Sequence, residues 1–210
     1  MNISTGVEKI KKRKGMLAFP LSAMVTVYLI GGVLPYTHLF ANDGTPEDSS
    51  AENPVIQNVY ALMASGKEKL LNKDYQGALD DINTAIALSE NDIAELYVLR
   101  GNINASIYRY SSAIHDYTVA LSLDPSLTEI HEIRGHLYYE KKDYENALMD
   151  YDKALQHNPN NREVLLARAN IYISQENYEY ALKDINTLLE LEPENGTLYT
   201  LSGDMHFALG

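Results

Sequence analysis

A period constrains this chain more than any other feature of its sequence. Gly66, Gly101, Gly135, Ala169 and Gly203 follow one another at steps of 35, 34, 34 and 34 residues. Tyr75, Tyr110, Tyr144 and Tyr178 keep the same steps, as do Ala78, Ala113, Ala147 and Ala181. Ala85, Ala120, Ala154 and Leu188 continue the series, and Pro125, Pro159 and Pro193 close three of the units. A period of roughly 20–50 residues marks one supersecondary unit repeated along the chain, because a unit that cannot bury its apolar face alone must bury it against the next copy. The units are 59–92, 94–127, 128–161 and 162–195, with Ile93 as a single insertion and 196–210 as half a unit.

Each unit reads as two helices. In the third, the pattern predicts one helix over Thr128–Lys141, a turn at Lys142-Asp143, and a second helix over Tyr144–Gln156. Asn158-Pro159-Asn160 ends it, since proline lacks a backbone N–H and its ring clashes with the preceding turn. Gly or Ala in the first helix and Ala in the second let the two backbones approach closely. The Tyr at the start of the second helix is expected to fill the space beside them. A bulky residue at Ala147 is expected to overpack that contact by about 1–3 kcal/mol.

Arg134-Gly135, Tyr138, Tyr144, Ala147, Asp150-Tyr151, Ala154 and Pro159 together resemble the tetratricopeptide repeat pattern. The resemblance covers residues 59–210, or about 55–210 with a leading helical turn. The position near the start of each unit where a large aromatic is usual holds Leu62, Tyr97, His131, Leu165 and Tyr199, and Glu90 stands where Pro is usual. The fold it implies is all-α: a right-handed α-solenoid of antiparallel helix pairs, about four and a half units long, preceded here by a separate hydrophobic helix.

The resemblance also implies that the first helices line a concave groove that binds peptides or partner proteins. Carried onto this chain, that groove takes Glu95, Val98, Asn102, Ala105 and Ser106 from the second unit. The third contributes Glu129, Glu132, His136, Tyr139 and Glu140; the fourth Glu163, Leu166, Asn170, Ile173 and Ser174; the half unit Thr200, Asp204 and Phe207. Asn102, His136, Asn170 and Asp204 recur at one position and form a polar ladder suited to hydrogen-bonding an extended peptide, or else simply a solvated helix face. The family's two-carboxylate clamp needs Lys, Asn and Arg, whereas the matching residues here are Met63, Lys67, Asn102, Glu132 and His136. Glu132 would repel a carboxylate, so chaperone tails are not expected partners. The acidic rim of Glu95, Glu129 and Glu163 suits a neutral to basic one.

A second constellation recurs beside the ladder. Arg100, Arg134 and Arg168 precede the small residue, and Asp81, Asp116, Asp150 and Asp184 lie in the second helices. Each Asp stands 19, 18 and 18 residues before the next Arg, which brings the two opposite each other across helices joined by a short turn. The expected pairing is therefore Asp to the following Arg, in a structural role.

Composition removes most other chemistries. With 17 Lys+Arg, 29 Asp+Glu and a net charge of −12, the chain lacks the clustered positive charge that nucleic acids require. The absence of Cys excludes disulfides, thiolate zinc sites and thiol nucleophiles. His131 and His136 are five apart and so sit on different helix faces, and no pair of carboxylates lies on a loop for acid and base work. Neither a phosphate loop nor a G-x-S-x-G elbow is present. No cofactor, metal or catalytic group is expected, and the chain reads as a non-enzymatic interaction scaffold.

The amino terminus reads as an address. Residues 1–14 hold Lys9, Lys11, Lys12, Arg13 and Lys14 against Glu8, ahead of the apolar run Met16–Phe40. This is the layout of a secretory signal or signal anchor at 1–41. The clean stretch Leu21–Leu34 is 14 residues long, about 21 Å as helix. That suits a signal cleaved after Ala41 better than a membrane span, although an anchor over Met16–Phe40 stays open. Residues 42–54 read as a flexible acidic linker. The repeats at 55–210 would then lie outside the cytoplasm, in a bacterium free in the periplasm or held at the inner membrane. Self-association through the carboxy-terminal half unit, or service as the regulatory part of a larger enzyme, are the alternative functions.

Overall fold

A computed structural model of the chain describes residues 54–89 and 91–210. The signal or anchor, its cleavage site, the linker up to residue 53 and the departure at Glu90 lie outside them. Among the described residues there are nine α-helices and no strand. They are α1 (Pro54–Leu71), α2 (Tyr75–Leu88), α3 (Ala94–Ser106), α4 (Tyr110–Leu123), α5 (Glu129–Glu140), α6 (Tyr144–His157), α7 (Arg162–Ser174), α8 (Tyr178–Leu191) and α9 (Gly196–Leu209). The fold class is all-α, as expected. None of these helices is long and apolar enough to cross a membrane.

The turn inside each helix pair has one geometry four times over. Lys73, Tyr108, Lys142 and Glu176 all take the left-handed backbone at φ 60–61°. After α1, the N–H of Asp74 bonds Lys69 O at 2.9 Å and that of Lys73 bonds Leu70 O at 3.0 Å. The crossed pair recurs as Arg109 to Asn104 O with Tyr108 to Ala105 O, as Asp143 to Tyr138 O with Lys142 to Tyr139 O, and as Asn177 to Tyr172 O with Glu176 to Ile173 O. These bonds satisfy carbonyls that the helix end would otherwise leave without donors. The next helix starts at once, and the Asp74 and Asp143 side chains cap it by accepting from Gly77 N and Asn146 N. Between pairs, the N–H groups of Asp124, Asn158 and Glu192 close α4, α6 and α8 on Ala120, Ala154 and Leu188, and the proline that follows each prevents continuation.

The described residues fall into two compact units, 54–130 and 131–210. In the first, α1 packs on α2, α2 on α3 and α3 on α4. Val59, Met63, Leu70, Leu79, Ile82, Leu96, Leu99 and Ile103 form its core, and Ala78 and Ala85 let α2 come close. In the second, α6 packs on α7, α7 on α8 and α8 on α9. Its core runs from Ala147 and Tyr151 through Leu165, Ile171 and Ile185 to Leu198, Leu201 and Met205.

The space beside the small first-helix residue is filled differently from the expectation. A Cβ on Gly101 would stand 2.6 Å from Tyr117 Cε1, and one on Gly135 would stand 2.9 Å from Tyr151 Cδ1. The filling side chain is thus the one two turns into the second helix, Tyr117 or Tyr151, each fully buried. Tyr75, Tyr110 and Tyr144, at the start of that helix, are only half-buried. The reason is level: a residue beside the turn cannot reach a glycine more than a full helical turn away from it. Burying each ring contributes about 1.5–3 kcal/mol.

Candidate functional site

Every buried aspartate of the second helices is gripped by a cation, though not by the one its spacing suggested. Arg100 donates from Nη2 to Asp116 Oδ1 at 2.7 Å and from Nε to both carboxylate oxygens at 3.1 and 3.2 Å. Arg134 forks onto Asp150 at 2.8 Å through both Nε and Nη2. Arg168 forks onto Asp184 at 3.0 and 2.6 Å. The partners are 16 residues apart, Arg before Asp inside one helix pair, which corrects the pairing of each Asp with the following Arg. In the first unit, Ser65 Oγ and Lys69 Nζ take the place of arginine on Asp81, at 2.6 and 2.7 Å.

The remaining guanidinium nitrogen reaches backwards. Arg100 Nη1 donates to Asn83 Oδ1 at 3.1 Å, and Arg168 Nη1 to Asp152 Oδ1 at 2.5 Å. Each of these arginines therefore ties its own second helix to that of the preceding repeat. Third donors complete two aspartates: Asn104 Nδ2 lies 3.0 Å from Asp116, and His131 Nδ1 lies 2.8 Å from Asp150. Burial, the largest single influence, opposes the charge on Arg168, but the bonds and charges of Asp184 and Asp152 together outweigh it and raise its pKa. Burial pushes the Asp184 carboxyl up despite the arginine beside it. The Asp116 and Asp184 carboxylates are buried, each forked by a guanidinium that also reaches a neighbouring helix, an arrangement that holds helices together.

The polar ladder is built against a tyrosine. Tyr117 OH donates to Asn102 Oδ1 at 2.7 Å, and Tyr151 OH lies 2.8 Å from His136 Nδ1. Both tyrosines stand 15 residues after their ladder residue and are the same rings that cover Gly101 and Gly135. Burial holds the pKa of the Tyr151 hydroxyl well above 10, so it stays protonated and can either donate to or accept from His136 Nδ1. The fourth unit has Ile185 at that place. Asn170, 6% exposed, is left with a buried Oδ1 that has no hydrogen-bond partner.

The other expected groove positions divide by burial. In the unit 54–130, Glu95 is half-buried and accepts from Lys67 Nζ at 2.6 Å, while Val98 is 4% exposed and belongs to the packed interior. In the unit 131–210, Ile173 is a core residue, and Tyr139 and Leu166 pack half-buried at its edge. Tyr139 rests on Tyr144 with ring centroids 5.7 Å apart. Glu132 is buried and accepts from Asn161 Nδ2 at 2.7 Å. Asp204 is half-buried on α9. A solvated face therefore describes Asn102, His136 and Asn170 poorly, and Val98 and Ile173 are packing residues. The Tyr117 and Tyr151 contacts were not legible as part of the site, although both tyrosines share a position in the repeat. Among the described residues no group of three or more metal-ligating side chains is assembled.

The tetratricopeptide repeat family model matches residues 129–161, and a second model of the same description matches residues 163–195. No curated protein matches. Among solved structures, a tetratricopeptide repeat protein from Parabacteroides merdae is similar at 26% identity and a TM-score of 0.65 over 73% of this chain. The alignment spans 61% of that protein's length. A structure of MamA is similar at 21% identity and a TM-score of 0.60, covering 65% of this chain and 80% of that one. MamA from Desulfovibrio magneticus is similar at 18% identity and 0.62, covering 70% and 83%. At such identities the MamA structures share the fold alone.

Proposed function

Because this chain carries tetratricopeptide repeats, we propose that it is a non-catalytic scaffold that holds a peptide or protein partner against the first helices of its repeats. One observation carries the reading. In the unit 131–210, Glu132 Oε1, His136 Nε2 and Asn170 Oδ1, all on first helices, are buried polar atoms with no partner in the chain. Leaving such an atom unmet costs about 1–3 kcal/mol. A bound segment that supplies the missing groups recovers part of that cost, whereas a face evolved only for packing would carry apolar residues there.

The partner is neutral to basic. Lys67, the one cation at the matched clamp positions, is already neutralised by Glu95, and Glu132 faces a ligand with negative charge. Binding should weaken as salt rises. The amino-terminal sequence supports placing the repeats outside the cytoplasm, released or held at the membrane by that segment. The exposed Tyr199, Phe207 and Leu209 of α9, at 55, 48 and 48%, favour a second reading in which copies associate through this helix. Sedimentation at two concentrations separates it, since a strictly monomeric protein rules it out.

The test is in-cell crosslinking and pull-down of the full-length protein beside a variant carrying Asn102→Ala, His136→Ala and Asn170→Ala. A partner captured by the wild type and lost by a variant with unchanged circular dichroism supports the groove. Identical partners with both would remove it.

A further inference from the structure

Two neighbouring buried groups of α5, His136 of the ladder and Glu132 one turn before it, are incomplete in a complementary way. His136 Nε2 and Glu132 Oε1 lie 3.8 Å apart, one helical turn from each other on α5. That is too far for a hydrogen bond, and neither atom has another partner. Their far sides are pinned: Tyr151 OH holds His136 Nδ1 at 2.8 Å, and Asn161 Nδ2 holds Glu132 Oε2 at 2.7 Å. The two residues are 2% and 8% exposed.

Charge decides what fits. Glu132 has lost most of its water and receives a single neutral hydrogen bond in return, which leaves most of its negative charge uncompensated. The arginines of the same unit are engaged elsewhere, Arg134 on Asp150, Arg168 on Asp184 and Arg162 on Glu192. A nitrogen entering between the two free atoms, about 2.8 Å from each, donates to the Glu132 carboxylate. It also donates to His136 Nε2 once the imidazole proton sits on Nδ1, toward the Tyr151 oxygen.

We propose that Glu132 and His136 form a subsite for one basic side chain, lysine or arginine, of an extended partner segment. This inference rests on the groove reading above and names the chemistry of its partner. The chaperone-tail clamp takes carboxylates, and this subsite takes the opposite charge.

The experiment selects peptides from a random dodecapeptide library on the immobilised full-length protein. Wild type is expected to enrich peptides sharing Lys or Arg at one position. Replacing that residue by norleucine should weaken binding to wild type about tenfold and binding to Glu132→Gln less than about twofold, a coupling that assigns the cation to this carboxylate. Glu132→Gln keeps the size and the Asn161 acceptor. Should it unfold, His136→Gln supplies the second arm, with the norleucine penalty again reduced. Enriched peptides with no shared basic position, or an equal penalty on wild type and variant, overturn the subsite while leaving the groove standing. Failure to enrich any peptide overturns both.

Discussion

Arg100 grips Asp116, 16 residues ahead of it in the same helix pair, and leaves Asp81, 19 residues behind, to Lys69 and Ser65. Both separations put an arginine level with an aspartate. Arg100 lies six residues before the end of α3 and Asp116 six after the start of α4, and Asp81 stands seven before the end of α2 with Arg100 six after the start of α3. Level alone therefore does not choose. The azimuth of each side chain around its helix does, and it points the fork into the pair while only Nη1 reaches the preceding repeat.

Arg168→Met tests that seam where it is simplest. Asp184 is 2% exposed, and the Arg168 guanidinium forks onto it. Removing the cation should cost about 3–5 kcal/mol in urea unfolding, and adding Asp184→Leu should restore most of it. A loss below about 1 kcal/mol would mean that the pair contributes no more than a surface bridge.

Two glycines of the repeat should respond with opposite signs. Gly101→Ala drives a methyl to 2.6 Å from the Tyr117 ring, inside a packed interior, and should cost about 1–3 kcal/mol. Around Gly203, within α9, a Cβ meets nothing within 4 Å, so Gly203→Ala should gain up to about 1 kcal/mol from helix propensity. Thermal unfolding of the two variants side by side reads the contrast.

Lys142→Gly should stabilise. An L residue in the left-handed region costs about 1–2 kcal/mol, and glycine there costs about 0.5–1 kcal/mol in extra unfolded-state entropy. The balance at φ 60° is a gain near 0.5–1 kcal/mol, measurable as a higher guanidinium midpoint without a change of slope. A loss would show that the Lys142 side chain contributes more than its backbone strain removes.

Acid should separate Asp81 from Asp184. The bonds from Lys69 and Ser65 hold the Asp81 carboxyl below its ordinary 3.8, so its contribution is present above that value and lost as pH falls through the lower, folded one. Burial raises Asp184, so its contribution is largest below 3.8 and is lost as pH rises through the folded value. Asp81→Asn should flatten the fall in melting temperature on acidification, and Asp184→Asn should steepen it. The same acid slope for both variants would contradict these opposite shifts.

Much of the fold was legible because its signals are local. The prolines after Asp124, Asn158 and Glu192 act within a turn of chain, and the 34-residue step repeats the same local signals, with Gly101 and Gly135 at one place in it. The helix over Glu129–Glu140 and the one over Tyr144–His157 accordingly fall within a residue of expectation. The ladder was legible as a recurrence, but its environment was not. Nothing in the spelling of Asn102 and His136 says that Tyr117 and Tyr151 reach across to them, or that Val98 and Ile173 turn inward with the core.

The sequence by itself determined the unit: a helix pair of fixed length, its stops and its close contact, since each follows from backbone sterics and the spacing of small residues. Tertiary structure alone decided which arginine meets which aspartate, which tyrosine covers each glycine, and that Glu132 and His136 stop 3.8 Å short of each other. Those outcomes depend on how two helices rotate about their axes when they pack. A shift of one residue changes that rotation by about 100 degrees, while a linear spacing records only the level along the axis.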